Sequence, residues 1–304
     1  MTLPQTPMDL NRLRALRELS ARGTMAAVAE ALHLTPSAVS QQIALLEDES
    51  GMPLTERRGR GIRLTHAGEV LAQHAERVMS VLDAARSELA EMRGEVAGEV
   101  RIAAFPSAAA VLLPATIMAL RKLHPRLEPV LVEMEPAQGL AALGSWQADL
   151  ALVDDLSPAS GAHPGIVRTA LADDSLVALV PARHALAGRT TVSVADLASE
   201  PWAMDSTSSS YAQFIIDLCR RAGFEPRINA HCRGFEMVAA FVAAGCSVSV
   251  IPGLRRAQIS RGTAMVELRP RVHRQISIAY RSGERRHPVI QAVVAALAAG
   301  VGGQ

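Results

Sequence analysis

The sequence has few aromatic residues, few cysteines, almost no net charge and no long apolar run. Aromatics make up 3% of its 304 residues, so its cores must be filled by Ala, Leu and Val. The three cysteines, Cys219, Cys232 and Cys246, are odd in number and lack paired spacing, which excludes a secreted disulfide framework. Net charge is +1, from 31 Lys and Arg against 30 Asp and Glu. Whole-chain charge therefore does not point to nucleic acid, and local placement has to decide. The opening MTLPQTPMDLNRLRAL holds no apolar run with a cleavage site. No stretch reaches the roughly 18 uninterrupted apolar residues of a membrane span. A cytoplasmic chain with no membrane partner is expected. The hydrophobic fraction of 49% is ample for two or three packed domains.

The charge is concentrated near the N terminus. Asp9 can cap a helix carrying Leu10, Leu13, Leu16 and Leu19, and Gly23 ends it. Thr24 caps a second short helix, MAAVAEALHL. After the Leu34-Thr35 turn, LTPSAVSQQIALLE starts a third, with Thr35 as N-cap and Pro36 in its first turn. Val39, Ile43 and Leu46 recur at helical spacing and face inward. The opposite face holds Ser37, Ser40, Gln41 and Ala44. It is small, polar and uncharged, unlike an ordinary solvated face. Next, LTERR and IRLT flank Gly59, Arg60 and Gly61, which reads as a β-hairpin or wing. Arg57, Arg58, Arg60 and Arg63 fall within seven positions there, placed to reach phosphates or a minor groove. This order of helices, polar helix and basic wing predicts a winged helix-turn-helix. Thr65 then caps a long helix over 66–93 in which Val70, His74, Val78, Val81, Ala85, Leu89 and Met92 recur at spacings of three or four. Such a one-sided apolar helix wants a partner helix.

The stretch AAVAEALHLTPSAVSQQIALLEDESGMPLTERRGRGIRLTHAGEVL, Ala26 to Leu71, resembles the winged helix-turn-helix and linker helix of the LysR-type transcriptional regulators. Two departures stand out. Thr55 stands where the family usually has Phe, and His66 where it often has Pro; both are expected to loosen the packing of wing on linker.

From Gly98 the pattern turns to α/β. Strands GEVRIAAF, LEPVLVEM and ADLALVDD alternate with helices near Leu112–His124 and Gln138–Trp146, which implies a parallel sheet with helices on its faces. A second set follows, from IVRTALADDSLVALVP through PRINAHC to SVSVIP, and QISIAYRS and a final apolar helix close the chain. The Gly245–Pro252 stretch resembles the family's Gly-rich AAG…IP segment. The resemblance implies a two-lobed effector domain like the periplasmic solute-binding proteins. The expected division is a DNA-binding domain over 1–65, a linker helix over 66–93 and an effector domain over 94–304. Its lobe I would take 94–163 and 266–304, and lobe II 164–265.

Hydroxyls at helix starts suit an anion, and two such starts facing one cleft favour a small carboxylate. Ser107 follows the first strand, and Thr207, Ser208 and Ser209 precede a helix. By resemblance Ser107 and the residues around Gln138 contact the effector, and Phe235 lines the second lobe. Asp205 nearby keeps an amine open. The expected function is a small-molecule-controlled DNA-binding regulator. Ser37, Ser40 and Gln41, with Thr35 at the helix start, meet the DNA, while Arg57, Arg58 and Arg60 anchor the wing on phosphates. The resemblance also implies a homodimer through the linker helices, commonly a tetramer, and inverted-repeat operators. Other readings are a cytoplasmic solute-binding module whose N-terminal domain makes protein contacts, and a thiol-based redox regulator. No G-x-S-x-G, P-loop or metal motif occurs, so no enzyme, metal or cofactor is expected. The pairs Asp154-Asp155 and Asp173-Asp174 read as strand-end turn residues.

Overall fold

The computed structural model describes residues 8–58, 61–156, 163–205, 209–258 and 262–302. Arg60, Thr207 and Ser208 lie outside the described residues, as does the side chain of Arg58.

Three capped helices open the chain. α1 (Leu10–Arg22) starts on Asp9, whose carboxylate accepts from the Asn11 and Arg12 amides, and stops at Gly23 in the left-handed region. α2 (Met25–Leu32) is capped by Thr24. α3 (Pro36–Ser50) is capped by Thr35, with Pro36 in the first turn, where its missing N–H costs nothing. Leu13, Leu16, Val28, Val39, Ile43 and Leu46 meet in one apolar core. The wing is an antiparallel hairpin of β1 (Thr55–Arg58) and β2 (Gly61–Leu64), with Thr55 opposite Leu64.

Beside the wing, Thr55 is held by hydrogen bonds. The Glu47 carboxylate accepts from the Leu54 and Thr55 amides at 2.8 and 2.9 Å and from the Thr55 hydroxyl at 3.0 Å. Thr55 therefore replaces apolar packing by a hydrogen bond. A Cβ on Gly68 would lie 2.1 Å from the Leu54 carbonyl oxygen, so the linker helix meets the wing at the closest approach glycine permits.

That helix, α4 (His66–Arg93), has 28 residues and is about 42 Å long. Its two sides differ. Ala72, Ala75 and Met79 are buried against α1 and Asp83 and Ser87 against the C-terminal part, while Val70, Val78, Val81, Leu89 and Met92 are exposed.

The C-terminal part has two cores. Lobe I is built from β3 (Gly98–Ala104), α5 (Pro106–Leu123), β4 (Leu127–Glu133), α6 (Pro136–Gly144) and β5 (Leu150–Val153), completed by α9 (Pro288–Gly302). β3 runs parallel to β4 and β5. The sheet is mixed rather than wholly parallel, because the returning strand β12 (His273–Arg281) pairs antiparallel with β5. α5 begins at Pro106, six residues before the predicted start, since Pro suits a first turn. By length and composition α5 could cross a membrane, yet Leu112, Leu113 and Leu120 are buried in lobe I.

The lobes share one strand, β6 (Ile166–Pro181). Its first half pairs with β12 and its second with β10 (Ser249–Pro252) and β11 (Thr263–Leu268). β7 (Thr191–Val192) extends that side, and β8 (Pro201–Asp205) pairs parallel with β9 (Arg227–Cys232). α7 (Ser210–Arg221) and α8 (Phe235–Ala243) cover lobe II, whose core takes Leu176 to Val180 and the fully buried Trp202. Leu171 and Ala172 pack on the lobe I core, whereas Leu176 and Val272 belong to lobe II. The cores therefore exchange near Ser175 and Val272. The sequence places these crossings near 164 and 266; the polar Asp173-Asp174-Ser175 run at the first true crossing reads as a strand end, but β6 continues through it.

Candidate functional site

The outer face of α3 is free. Ser37, Ser40 and Gln41 are exposed, as are Thr35 and the wing residue Arg57. Thr35 already has work: its hydroxyl accepts from the Ala38 amide at 3.2 Å and lies 3.0 Å from the Ser37 hydroxyl. Arg63 on β2 is exposed and ion-paired with Glu69 at 3.7 Å. The face that reads as smooth in sequence is thus presented to solvent beside a basic hairpin, with its backbone donors capped and its packing face fully spent.

The second site lies between the lobes. Phe105, Ser107, Asp154, Asp205, Ser209, Tyr211, Phe235 and Arg274 surround a cavity of about 20 Å³, which Glu135, Pro136 and Ser210 close. That is room for about one water molecule. Three predicted residues, Ser107, Ser209 and Phe235, meet here. Gln138 does not: it is exposed, and its Oε1 accepts from the Glu135 amide at 3.0 Å. It caps α6 while its neighbours Glu135 and Pro136 reach the cleft.

Arg274 is the centre of this site, and the sequence reading missed it. It is 1% exposed. Its Nε donates to Asp174 at 2.9 Å, Nη1 to Asp154 at 3.2 Å and Nη2 to the Ser107 hydroxyl at 2.7 Å. The guanidinium also lies 4.9 Å from the Phe105 ring and 5.6 Å from that of Tyr211, within cation–π range. Asp174 further accepts from the Leu254 amide at 2.7 Å. Asp154 and Asp174 are therefore partners of a buried cation, not turn residues. A usable clue existed: Arg274 alternates in register with Ile276 and Ile278, which puts it on the apolar side of its strand.

Charge in the cleft is not what a simple anion site needs. Arg274 is already offset by two carboxylates. Glu135 of lobe I crosses to the start of α7, where Ser210 meets it with its hydroxyl at 3.4 Å and with its backbone N–H. Burial raises the Glu135 carboxyl pKa above its ordinary value, and these Ser210 contacts pull it back. Burial likewise raises Asp154, against the pull of Arg274. The α7 N terminus, predicted to await a carboxylate, holds the chain's own.

The cysteines have no such focus. Cys219 and Cys232 are buried and Cys246 is exposed, all as free thiols. Burial pushes the Cys219 thiol up to about 12 and also raises Cys232. Among the described residues no group of His, Cys, Asp and Glu is arranged to hold a metal ion.

A winged reading head, a long helix and a two-lobed binding domain together define a ligand-responsive DNA-binding regulator. Residues 10–69 match the family model described as bacterial regulatory helix-turn-helix protein, lysR family, and residues 93–302 that of the LysR substrate binding domain. The chain belongs to the LysR family of transcriptional regulators. It is 31% identical over 273 residues to the transcriptional dual regulator GltC of Bacillus subtilis, covering 89% of this chain and 90% of that protein. It is 29% identical over 283 residues to the dual regulator OxyR of Escherichia coli, with 91% and 90% covered. A full-length OxyR structure from Pseudomonas aeruginosa superposes with a TM-score of 0.67 at 19% identity, covering 96% of this chain and 95% of that one, which is a likeness of fold.

Proposed function

We propose that the chain binds an inverted-repeat operator as a homodimer, or a tetramer built from it, in the cytoplasm, and that a small molecule in the inter-lobe cleft switches it. Its work is binding, without a catalytic step. The observation that carries this reading is the exposed, uncharged face of α3 beside the Arg-bearing hairpin. Short Ser side chains let a helix lie close in a major groove about 12 Å wide, and Gln41 reaches further, to pair with adenine. Arg57, with Arg58 and Arg60, supplies phosphate contacts that carry no sequence information. The apolar stripe on α4 supports pairing through that helix.

The division of roles is tested by gel shift on a duplex selected from a random pool by the native chain. Gln41→Ala should lose about 1–3 kcal/mol of discrimination at particular base pairs. Arg57→Ala should weaken all duplexes about equally and flatten the salt slope by roughly one unit. If both variants behave alike, the assignment is wrong.

Ser107, Ser209 and Phe235 are the proposed effector contacts, with Arg274 and Tyr211 added. Thr207 and Ser208 precede Ser209 in the sequence and stay proposed on that ground, and Gln138 acts by holding Glu135. A carboxylate effector has to replace Glu135 at the start of α7, and the lobes have to part to admit it. Removing the resident carboxylate should therefore favour an outside one. In a thermal-shift panel of small acids and amines, Glu135→Ala should bind acids roughly tenfold more tightly than the native chain. Equal acid responses in the two proteins would count against a carboxylate. The raised Cys219 pKa leaves that thiol protonated at neutral pH, which argues against Cys219 as an oxidant-sensing residue.

A further inference from the structure

The contact between the DNA-binding domain and lobe I is made around the C-terminal end of α6. A helix leaves its last carbonyls without helical partners and carries partial negative charge there. At this end of α6 the Ala141 and Leu143 carbonyls each take a backbone N–H, and arginines are added as further donors to them and to the Ser145 carbonyl. Arg14 of α1 donates to the Ser145 carbonyl at 2.6 Å, and Arg22 of α1 to that of Ala141 at 3.1 Å. Arg281 of lobe I donates to that of Leu143 at 2.8 Å. Two of the three cations come from the DNA-binding domain.

Trp146, one residue further on, ties the parts together. The guanidinium carbons of Arg14, Arg17 and Arg281 lie 4.7, 4.5 and 5.6 Å from its ring centroid. Its Nε1–H donates to Asp83 of α4 at 3.3 Å, and Asp83 is ion-paired with Arg281 at 3.5 Å. One side chain thus touches α1, α4 and lobe I. Its φ is +57°, a backbone region that a bulky residue occupies only when its surroundings hold it there. Further along α4 the Ser87 hydroxyl donates to the Gly283 carbonyl at 3.0 Å, and a Cβ on Gly283 would lie 2.4 Å from the Ser80 carbonyl oxygen.

The opposite end of α6 is in the effector cleft. Glu135 and Pro136 line it, and Glu135 is the group that crosses to α7. The helix has nine residues, about 14 Å. The outer face of α3 and the apolar stripe of α4 stay exposed, so the contact leaves DNA and a partner helix free to bind.

We propose that α6 is the coupling element of this protein: it carries movement of Glu135 in the cleft to α1 through the arginine-capped end and Trp146. The proposal rests on the cleft being the effector site, and its test needs no effector. The physical content is a two-state position of α6 that both ends bias. Glu135→Ala changes the cleft end, and amide hydrogen exchange of the full-length chain reads the other.

In the native background Glu135→Ala should change exchange at the start of α7 and, through α6, by roughly tenfold in α1. In the Trp146→Ala background the α7 change should persist and the α1 change disappear. Trp146→Phe, which keeps the ring, should restore it. Arg14→Ala gives the same test should Trp146→Ala fail to fold. An α7 change without an α1 change in the native background overturns the coupling, as does an α1 change of equal size in both backgrounds. No change at α7 would instead refute the Glu135 contact on which the cleft reading depends.

Discussion

Arg274→Met is expected to destabilise the chain by about 3–5 kcal/mol, the usual cost of removing one partner of a buried ion pair. The substitution is close in volume but removes the buried cation that Asp154 and Asp174 share, both 4% exposed. It also frees the Ser107 hydroxyl from the guanidinium and removes the charge stacked between Phe105 and Tyr211. The loss should depend on pH. Burial already raises the Asp154 pKa, and Arg274 pulls it down. Without that pull, the folded-state pKa moves further above the unfolded value of about 4. A carboxyl group shifted in this sense contributes stability below the unfolded pKa and loses it as pH rises through the folded one. The penalty should therefore be smaller near pH 4 than at pH 7. Urea unfolding at the two pH values measures it. An equal penalty at both would mean that loss of the cation beside these carboxylates is not what destabilises the variant.

Val81→Asp is expected to abolish pairing of the long helices. Val81 is 68% exposed, with Leu89 at 56% and Met92 at 80% on the same stripe. These are large apolar groups on a helix whose other side is already committed to its own chain. A carboxylate within a dry helix pair is costly to desolvate, and on the isolated surface it costs nothing. The folded variant should sediment as a monomer at concentrations where the native chain pairs. Its affinity for a two-half-site duplex should fall by roughly 10²–10⁴, the gain expected from linking two binding modules, while a single half-site binds as before. A variant that still pairs would place the dimer contact elsewhere.

The N-terminal module was legible almost residue by residue. Its elements are set by local chemistry: Asp9, Thr24, Thr35 and Thr65 cap the helices, and Gly23, Gly51 and Gly94 end them in the left-handed region. The exposure of Ser37, Ser40 and Gln41 follows from helical periodicity once Val39, Ile43 and Leu46 are inside. The effector cleft was half legible. Hydroxyls at helix starts pointed to Ser107 and Ser209, but the groups that determine its charge come from 120 and 100 residues apart, as in Asp154 with Arg274 and Asp174 with Arg274. No local pattern connects them. Glu135 is harder still. The sequence starts α6 at Gln138 and leaves Glu135 outside it, and only the packing of two lobes brings Glu135 to Ser210. The first lobe crossing was misplaced because the polar Asp173-Asp174-Ser175 run reads as a strand end, whereas β6 runs on through it and changes neighbours there.

The scarcity of aromatic residues has an optical consequence. The chain has only two tryptophans, and they sit in opposite environments. Trp202 is sealed in lobe II, its indole N–H held by the Leu197 carbonyl at 3.2 Å. Trp146 is ringed by three guanidinium groups and a carboxylate where three parts of the chain meet. With Trp202 replaced by Phe, a single emitter remains, and its colour and quenching report on that junction alone. The protein carries its own dye at the place where its halves join.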